Sequence, residues 1–291
     1  MSRRFKVGGV PEHFNLPWYR AAERDVFDDA PFDYSWEIYP GGTGAMLADL
    51  DSGELDLAVL LMEGVVAHIA RGGDAAILGT YVDSPLIWGV HVHADSPFAS
   101  IDDLRGKKFG ISRRFSGSHI MAYVLAEEMG WSPTDDITFE LVKDLEGARE
   151  ALKEGRADAF MWEKYTTKPL VDTGEWRRAG VCTTPWPPFV LASKRGFASE
   201  RWDDVELVIE RIKALCDEMT DDPTSTVSNV TSRFGQRERD ARQWLSETRW
   251  ASELVVDPTE LEGVVDTLLR VGVIDERIAV ANLVLNRSEV E

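Results

Sequence analysis

Residues 36–61, WEIYPGGTGAMLADLDSGELDLAVLL, lie on residues 138–163, TFELVKDLEGAREALKEGRADAFMWE, at a constant offset and without a gap. Leu50 falls on Leu152, Gly53 on Gly155 and Asp56 on Asp158. The same offset carries Lys6-Val7-Gly8 onto Lys108-Phe109-Gly110, which sets the loop VPEHFN opposite the loop SRRFSG. Each copy reads as strand, helix, glycine stop, strand. Apolar residues recur at helical spacing, a glycine follows where the chain leaves the helix through a left-handed residue, and a short apolar run comes next. Few residues are identical, so a true duplication and the shared grammar of βαβ units both account for the match. Either origin demands the same architecture: an α/β protein of two lobes, each a mostly parallel sheet with helices on both faces.

The length of 291 residues suits two such lobes. Strands are expected near 4–9, 34–39, 56–61, 75–81, 86–92, 108–112, 137–142, 157–162 and 188–193. The runs IWGVHV and PFVLAS would carry the chain between lobes. Lobe one is then 1–90, lobe two 91–187, and 188–291 returns to lobe one and continues as a helical extension packed on it. Pro223 and Pro258 punctuate that extension, and Pro258 follows Asp257 as a helix-start signal.

Charge separates the middle of the chain from its flanks. The net charge is -19. Residues 91–187 hold 13 basic against 16 acidic side chains, whereas 1–90 hold 6 against 14 and 188–291 hold 13 against 21. This balance argues against nucleic acid and anionic membrane as partners. No apolar stretch reaches membrane-span length, because Glu63 interrupts LAVLLMEGVVAHIA. MSRRFKVGGV passes from arginines into a strand-like run without the apolar core of a signal peptide. The expectation is a cytoplasmic protein, or a periplasmic or extracellular one if a leader has been removed. Cys182 and Cys216 lack metal spacing and read as packed thiols.

Ligands of open α/β sheets bind at the carboxyl ends of the strands, so the loops there carry the functional reading. Ser112-Arg113-Arg114-Phe115-Ser116-Gly117-Ser118 runs from a strand into a helix whose stripe is Ile120, Val124 and Leu125. The first turn of that helix has unpaired N–H groups and partial positive charge. Ser116 or Ser118 is expected to cap it and to offer a hydroxyl, Gly117 to admit a ligand close to the backbone, and Arg113 to supply a fork for an oxyanion. A capped helix with solvent-facing arginines explains the same letters. YPGGTGAML is a second glycine-rich turn, with Thr43 as its cap and Gly44 beside it. His13, Phe14 and Asn15 follow the first strand; Asn15 and Pro17 fit a helix start, while His13 and Phe14 could close over a ligand. Trp162, Glu163 and Tyr165 follow the strand near 157–162, where the aromatics are equally explained as core filler, and Glu63 follows the matching strand, so a carboxylate recurs at both equivalent ends. His68, His91 and His93 lack convergent acidic partners and read as structural. No metal site, cofactor site or catalytic signature is recognised: there is no nucleophile elbow, phosphate-binding P-loop, zinc-protease helix or dinucleotide fingerprint.

The segments GGTGAMLADLDSGELDLAV, SPFASIDDLRGKKFGISRRFSGSHIMAYVLAEEMGW, LKEGRADAFMWEKYTTKPL and PPFVLASKRGF, in this order, resemble the type II periplasmic-binding-protein family. The resemblance covers about residues 4–197. It is nearest the nitrate/sulfonate/taurine substrate-binding proteins of ABC transporters and the related thiamine-pyrimidine-synthase-like proteins, and it extends to a signal-less microbial subgroup. It implies ligand contacts near Asn15, Thr43, Gly44, Glu63, Ser112, Arg113, Ser116, Gly117, Ser118 and Trp162. The cysteine-rich motif of the pyrimidine synthases is missing, so their pyridoxal-phosphate chemistry does not carry over and no cofactor is expected.

The expected function is to bind a small anionic or organic solute by closing two lobes over a central cleft, with an ABC permease as partner if the chain is exported. The alternative is a cytosolic enzyme on the same fold, a chorismate-dehydratase-like lyase, with Asn15 as the matching residue and Glu63 or His13 for proton transfer.

Overall fold

The computed structural model describes residues 3–290. The chain falls into two compact units: residues 1–84, 187–265 and 276–291 form unit 1, and residues 85–186 and 266–275 form unit 2.

In unit 1 the chain runs β1 (Arg3–Gly9), α1 (Leu16–Glu23), β2 (Phe32–Ile38), α2 (Gly42–Ser52), β3 (Leu57–Leu61), α3 (Met62–Ala70) and β4 (Ala75–Val82). In unit 2 it runs β5 (Ile87–His93), β6 (Lys107–Ile111), α4 (Gly117–Glu128), β7 (Ile137–Leu141), α5 (Leu145–Lys153), β8 (Ala159–Glu163), α6 (Lys168–Asp172) and β9 (Trp176–Thr183). Unit 1 resumes with β10 (Phe189–Lys194), α7 (Arg195–Glu200), α8 (Trp202–Asp221), α9 (Pro223–Phe234) and α10 (Glu238–Glu247). The last α-helix, α11 (Pro258–Arg270), has its final turn among the residues grouped with unit 2.

The two sheets repeat one plan. Sheet one has the order β2-β1-β3-β10-β4 and sheet two the order β7-β6-β8-β5-β9. In each, one strand runs against the rest: β10 pairs antiparallel with β3 and β4, and β5 pairs antiparallel with β8 and β9. Both sheets are thus mixed, with β1–β2, β1–β3, β6–β7 and β6–β8 paired parallel. The repeat read from the sequence persists at atomic detail. Val7 pairs with Leu57 and Phe109 with Ala159. The Asp56 carboxylate accepts the Lys6 amide at 2.7 Å, and Asp158 accepts that of Lys108 at 2.9 Å. Gly53 and Gly155 both leave their helices at positive φ, 76° and 69°, where an L side chain is disfavoured.

Three expectations change. β5 lies wholly in sheet two, so the first change of unit comes before residue 85 rather than after 90, because Ile87–His93 finds its ladder partners on β8 and β9. Residues 266–275, read as part of a tail on lobe one, group with unit 2. There the Arg270 guanidinium pairs with the Glu127 carboxylate of α4. Finally, β9 was not expected at all. Its Arg177 and Arg178 disguise an edge strand: Arg177 donates to the carbonyls of Ala94, Ser96 and Phe98, and Arg178 to that of Lys164.

Each sheet is buried under its helices. The strands β3 and β4 are apolar almost throughout, as expected where both faces are covered. In unit 2 Val142, Ala148, Ala151, Leu152, Phe160 and Trp176 form one buried cluster. Among the described residues no helix is long and apolar enough to cross a membrane. Cys182 and Cys216 are buried free thiols.

Candidate functional site

The loop from β6 to α4 is closed on itself by hydrogen bonds. Ser116 occupies the cap position with extended backbone (φ −78°, ψ 165°), but its side chain does not cap. Its hydroxyl donates to the Arg113 carbonyl at 2.8 Å. Ser118 Oγ accepts the Ser112 amide at 3.1 Å and lies 3.0 Å from Ser116 Oγ. A hydroxyl has one proton, so with that of Ser116 on Arg113, Ser118 must donate to Ser116. Both hydroxyl protons are therefore engaged within the loop, which corrects the expectation that one of them caps the helix.

The donors that remain are backbone groups. The amides of Ser116, His119 and Ile120 find carbonyls at Arg113 and Ser116. Gly117 and Ser118 begin α4, and their amides are the first-turn donors for which a helix has no internal acceptor. Arg113, in the same loop, is half-buried, and burial pulls its pKa below the ordinary arginine value. Phe115 is 36% exposed and adopts a left-handed φ of 64°. Its amide donates to His119 Nδ1 at 2.9 Å.

In unit 1 the first turns of α2 and α3 meet. Gly41, not Thr43, is the cap residue of α2. Thr43 lies within the first turn, and its Oγ1 accepts the Leu61 amide at 3.3 Å, at the start of α3. Gly44 is half-buried in the same turn. A Cβ on Gly64 would stand 2.7 Å from the Thr43 methyl, so the approach of the two turns requires glycine there. Met62 donates its amide to the Pro188 carbonyl at 2.8 Å. Glu63 is buried in the first turn of α3, where the helix dipole favours a carboxylate.

The segment after β1 differs from expectation. Asn15 stands at the cap position of α1 with Pro17 just inside, yet its side chain makes no capping bond. Its Nδ2 donates instead to the Val10 carbonyl at 2.9 Å. Asn15 Oδ1 is buried without a hydrogen-bond partner. His13 and Phe14 are both buried among aromatic side chains. His13 is 1% exposed, stacked on Phe14 and edge-on to Trp244, with Nδ1 2.9 Å from Gln236 Nε2. Burial pulls its pKa down to about 3, so it is a neutral core residue. The Phe14 ring packs on Phe189 and Trp244.

At the end of β8, Trp162 is half-buried, stacked on Phe160 and edge-on to Trp88. The next residue, Glu163, carries the carboxylate that recurs opposite Glu63 and is more unusual. It is 3% exposed, and its carboxyl oxygens accept the amides of Tyr165 at 2.9 Å and Thr166 at 2.6 Å. Burial pushes the carboxyl up to about 7 against the opposing pull of those amides. His91, with Nε2 3.0 Å from Thr167 Oγ1, is held neutral by burial, its pKa pulled down to about 3. His68 meets Asp51, and His93 meets Asp95. Among the described residues no group of three or more His, Cys, Asp and Glu is placed to hold a metal ion.

Comparison with known proteins converges on one architecture. The solved structure of a conserved Candida albicans gene product, CA3427, described as defining a family with the generic periplasmic binding protein fold, matches with a TM-score of 0.89. That match covers 97% of this chain and 96% of the other at 26% identity. The chain has the type II periplasmic-binding-protein fold. Residues 88–182 match the model of the Ca3427-like PBP family. The alkanesulfonate-binding protein SsuA of Xanthomonas axonopodis pv. citri, solved bound to MOPS, gives a TM-score of 0.84 at 18% identity, covering 97% of this chain and 98% of that one. A putative aliphatic sulfonates-binding protein of Escherichia coli (strain K12) is 28% identical over 142 residues, 48% of this chain. The alignment spans 43% of that relative's length. Two of these three relatives are sulfonate-binding proteins by name.

Proposed function

We propose that the protein binds a small anionic organic solute. The observation that carries this reading is the first turn of α4, whose Gly117 and Ser118 amides follow the half-buried Arg113 in one short loop and whose neighbouring hydroxyls are hydrogen-bonded within that loop. The sulfonate-binding relatives favour an oxyanion head with an apolar or zwitterionic remainder. By the same likeness, an ABC permease is the partner to which a bound solute would be delivered.

Thermal shift and calorimetry with MOPS, ethanesulfonate and short carboxylates test the reading. Wild type is expected to be stabilised by at least one sulfonate. Arg113→Ala removes a charge-assisted contact worth about 1.5–3 kcal/mol, so affinity should fall roughly tenfold to a hundredfold while the fold persists. Equal affinity of Arg113→Ala and wild type, or no anion-dependent shift at all, overturns it.

A further inference from the structure

We propose that His119 is a positioning residue: by accepting the Phe115 amide it holds the left-handed residue that directs the donors of the α4 turn. The role in binding rests on reading that turn as part of the solute site.

Phe115 is one of three non-glycine residues with positive φ among those described. The other two have ready explanations. Asp25 directly follows the end of α1, where left-handed residues terminate helices and a short polar side chain tolerates the conformation. Lys143 sits in a tight turn closed by the Asp144 amide on the Val142 carbonyl. Phe115 also sits in a turn, closed by the Ser116 amide on the Arg113 carbonyl at 3.2 Å, but a bulky aromatic is disfavoured in the left-handed conformation this turn requires. It lies between a strand and a helix start, and a bulky residue there is strained unless its surroundings over-determine it.

His119 supplies that constraint. It is 1% exposed, with Tyr123 at 4.7 Å and the Phe139 ring edge-on at 4.4 Å. The imidazole is therefore fixed by the packing of α4 on β7, and its Nδ1 is presented to the Phe115 amide at 2.9 Å. Accepting at Nδ1 places the ring proton on Nε2. That Nε2 is buried and has no hydrogen-bond partner. A residue serving only to fill space would avoid an unsatisfied buried donor, since leucine fills similar volume without one. The imidazole is explained by its acceptor. The charged and titratable groups acting on it are Arg114, which disfavours its cation, and Tyr123. Burial first, then Arg114, pulls its pKa down to about 4, so the ring stays neutral and accepting above that pH.

The reversal at Phe115 lets Ser116 adopt its extended cap conformation and close onto the Arg113 carbonyl through both amide and hydroxyl. Releasing Phe115 would turn the Gly117 and Ser118 amides away from their present direction.

The test combines two readouts. In wild type without ligand, ¹⁵N shifts of His119 should show an unprotonated Nδ1, and the Phe115 amide should be protected from exchange. His119→Leu should abolish that protection while Val124 and Leu125 of α4 keep theirs, and should raise the Kd for MOPS roughly tenfold. His119→Asn, whose Oδ1 can replace Nδ1 as acceptor, should restore both. In a Phe115→Gly background, His119→Leu should change the Kd less than twofold, because glycine adopts the left-handed conformation unaided. A proton on Nδ1 in wild type, full Phe115 protection in His119→Leu, or additive losses in the double variant overturns the proposal. If wild type binds no MOPS, the solute reading fails for MOPS, while the ligand-free exchange and ¹⁵N measurements still decide the role of His119.

Discussion

Glu163→Gln should make the protein more stable, and increasingly so as pH rises. The Glu163 carboxyl titrates at about 7 in the folded protein against an ordinary value of 4.5. Its pKa is raised, so its contribution is complete below 4.5 and is lost as pH climbs toward 7. In that window the unfolded chain ionises while the folded chain still holds its proton. Each pH unit between the two values costs about 1.4 kcal/mol, for a total of about 3 kcal/mol once both states are ionised. Glutamine reproduces the protonated acid, with one carbonyl oxygen to accept from Tyr165 or Thr166, and does not titrate. The difference in unfolding free energy between variant and wild type should therefore grow by about 2 kcal/mol between pH 5.5 and 8. Urea unfolding followed by tryptophan fluorescence at four pH values measures it. The slope is the test, since the absolute offset also contains any change in packing. A difference independent of pH would refute the reasoning, because it would mean that the buried carboxyl ionises as readily folded as unfolded.

Gly64→Ala forces a methyl to within 2.7 Å of the Thr43 methyl and should destabilise by about 1 kcal/mol net, overpacking outweighing the helix-propensity gain. In a Thr43→Ser background, which deletes that methyl and keeps the hydroxyl for Leu61, the same change should become neutral or stabilising in thermal melts. Asp56→Ala and Asp158→Ala each remove the acceptor of an equivalent lysine amide. Chemical denaturation should find losses of about 1–3 kcal/mol for both, with similar sizes because the geometry repeats.

Most of the fold was legible because it depends on local, periodic signals. Helices ending at Gly53 and Gly155 and the buried runs of β3, β4 and β10 are encoded in short windows of sequence, and the constant offset between the two halves predicted two sheets of one plan. β9 escaped because its arginines satisfy carbonyls far away in the chain, so its letters look like a solvated loop. The loops of the candidate site were legible as elements but less so in their hydrogen bonding. Ser116, Ser118, Thr43 and Asn15 are all good capping residues by type, yet none of their side chains caps its helix. Each found a better-placed partner across a loop or a neighbouring helix start.

The amino-acid order alone determined that there would be two α/β units and that an arginine-flanked helix start would follow β6, since amphipathic spacing and turn residues act over a few positions. Tertiary structure decided which donors are left over, which strand runs against the others, and which histidine steadies a strained turn. These depend on residues such as Phe139 and His119, brought together by the burial of one layer on another, and a hydrogen-bond donor can be counted as spare only after every acceptor around it has been placed.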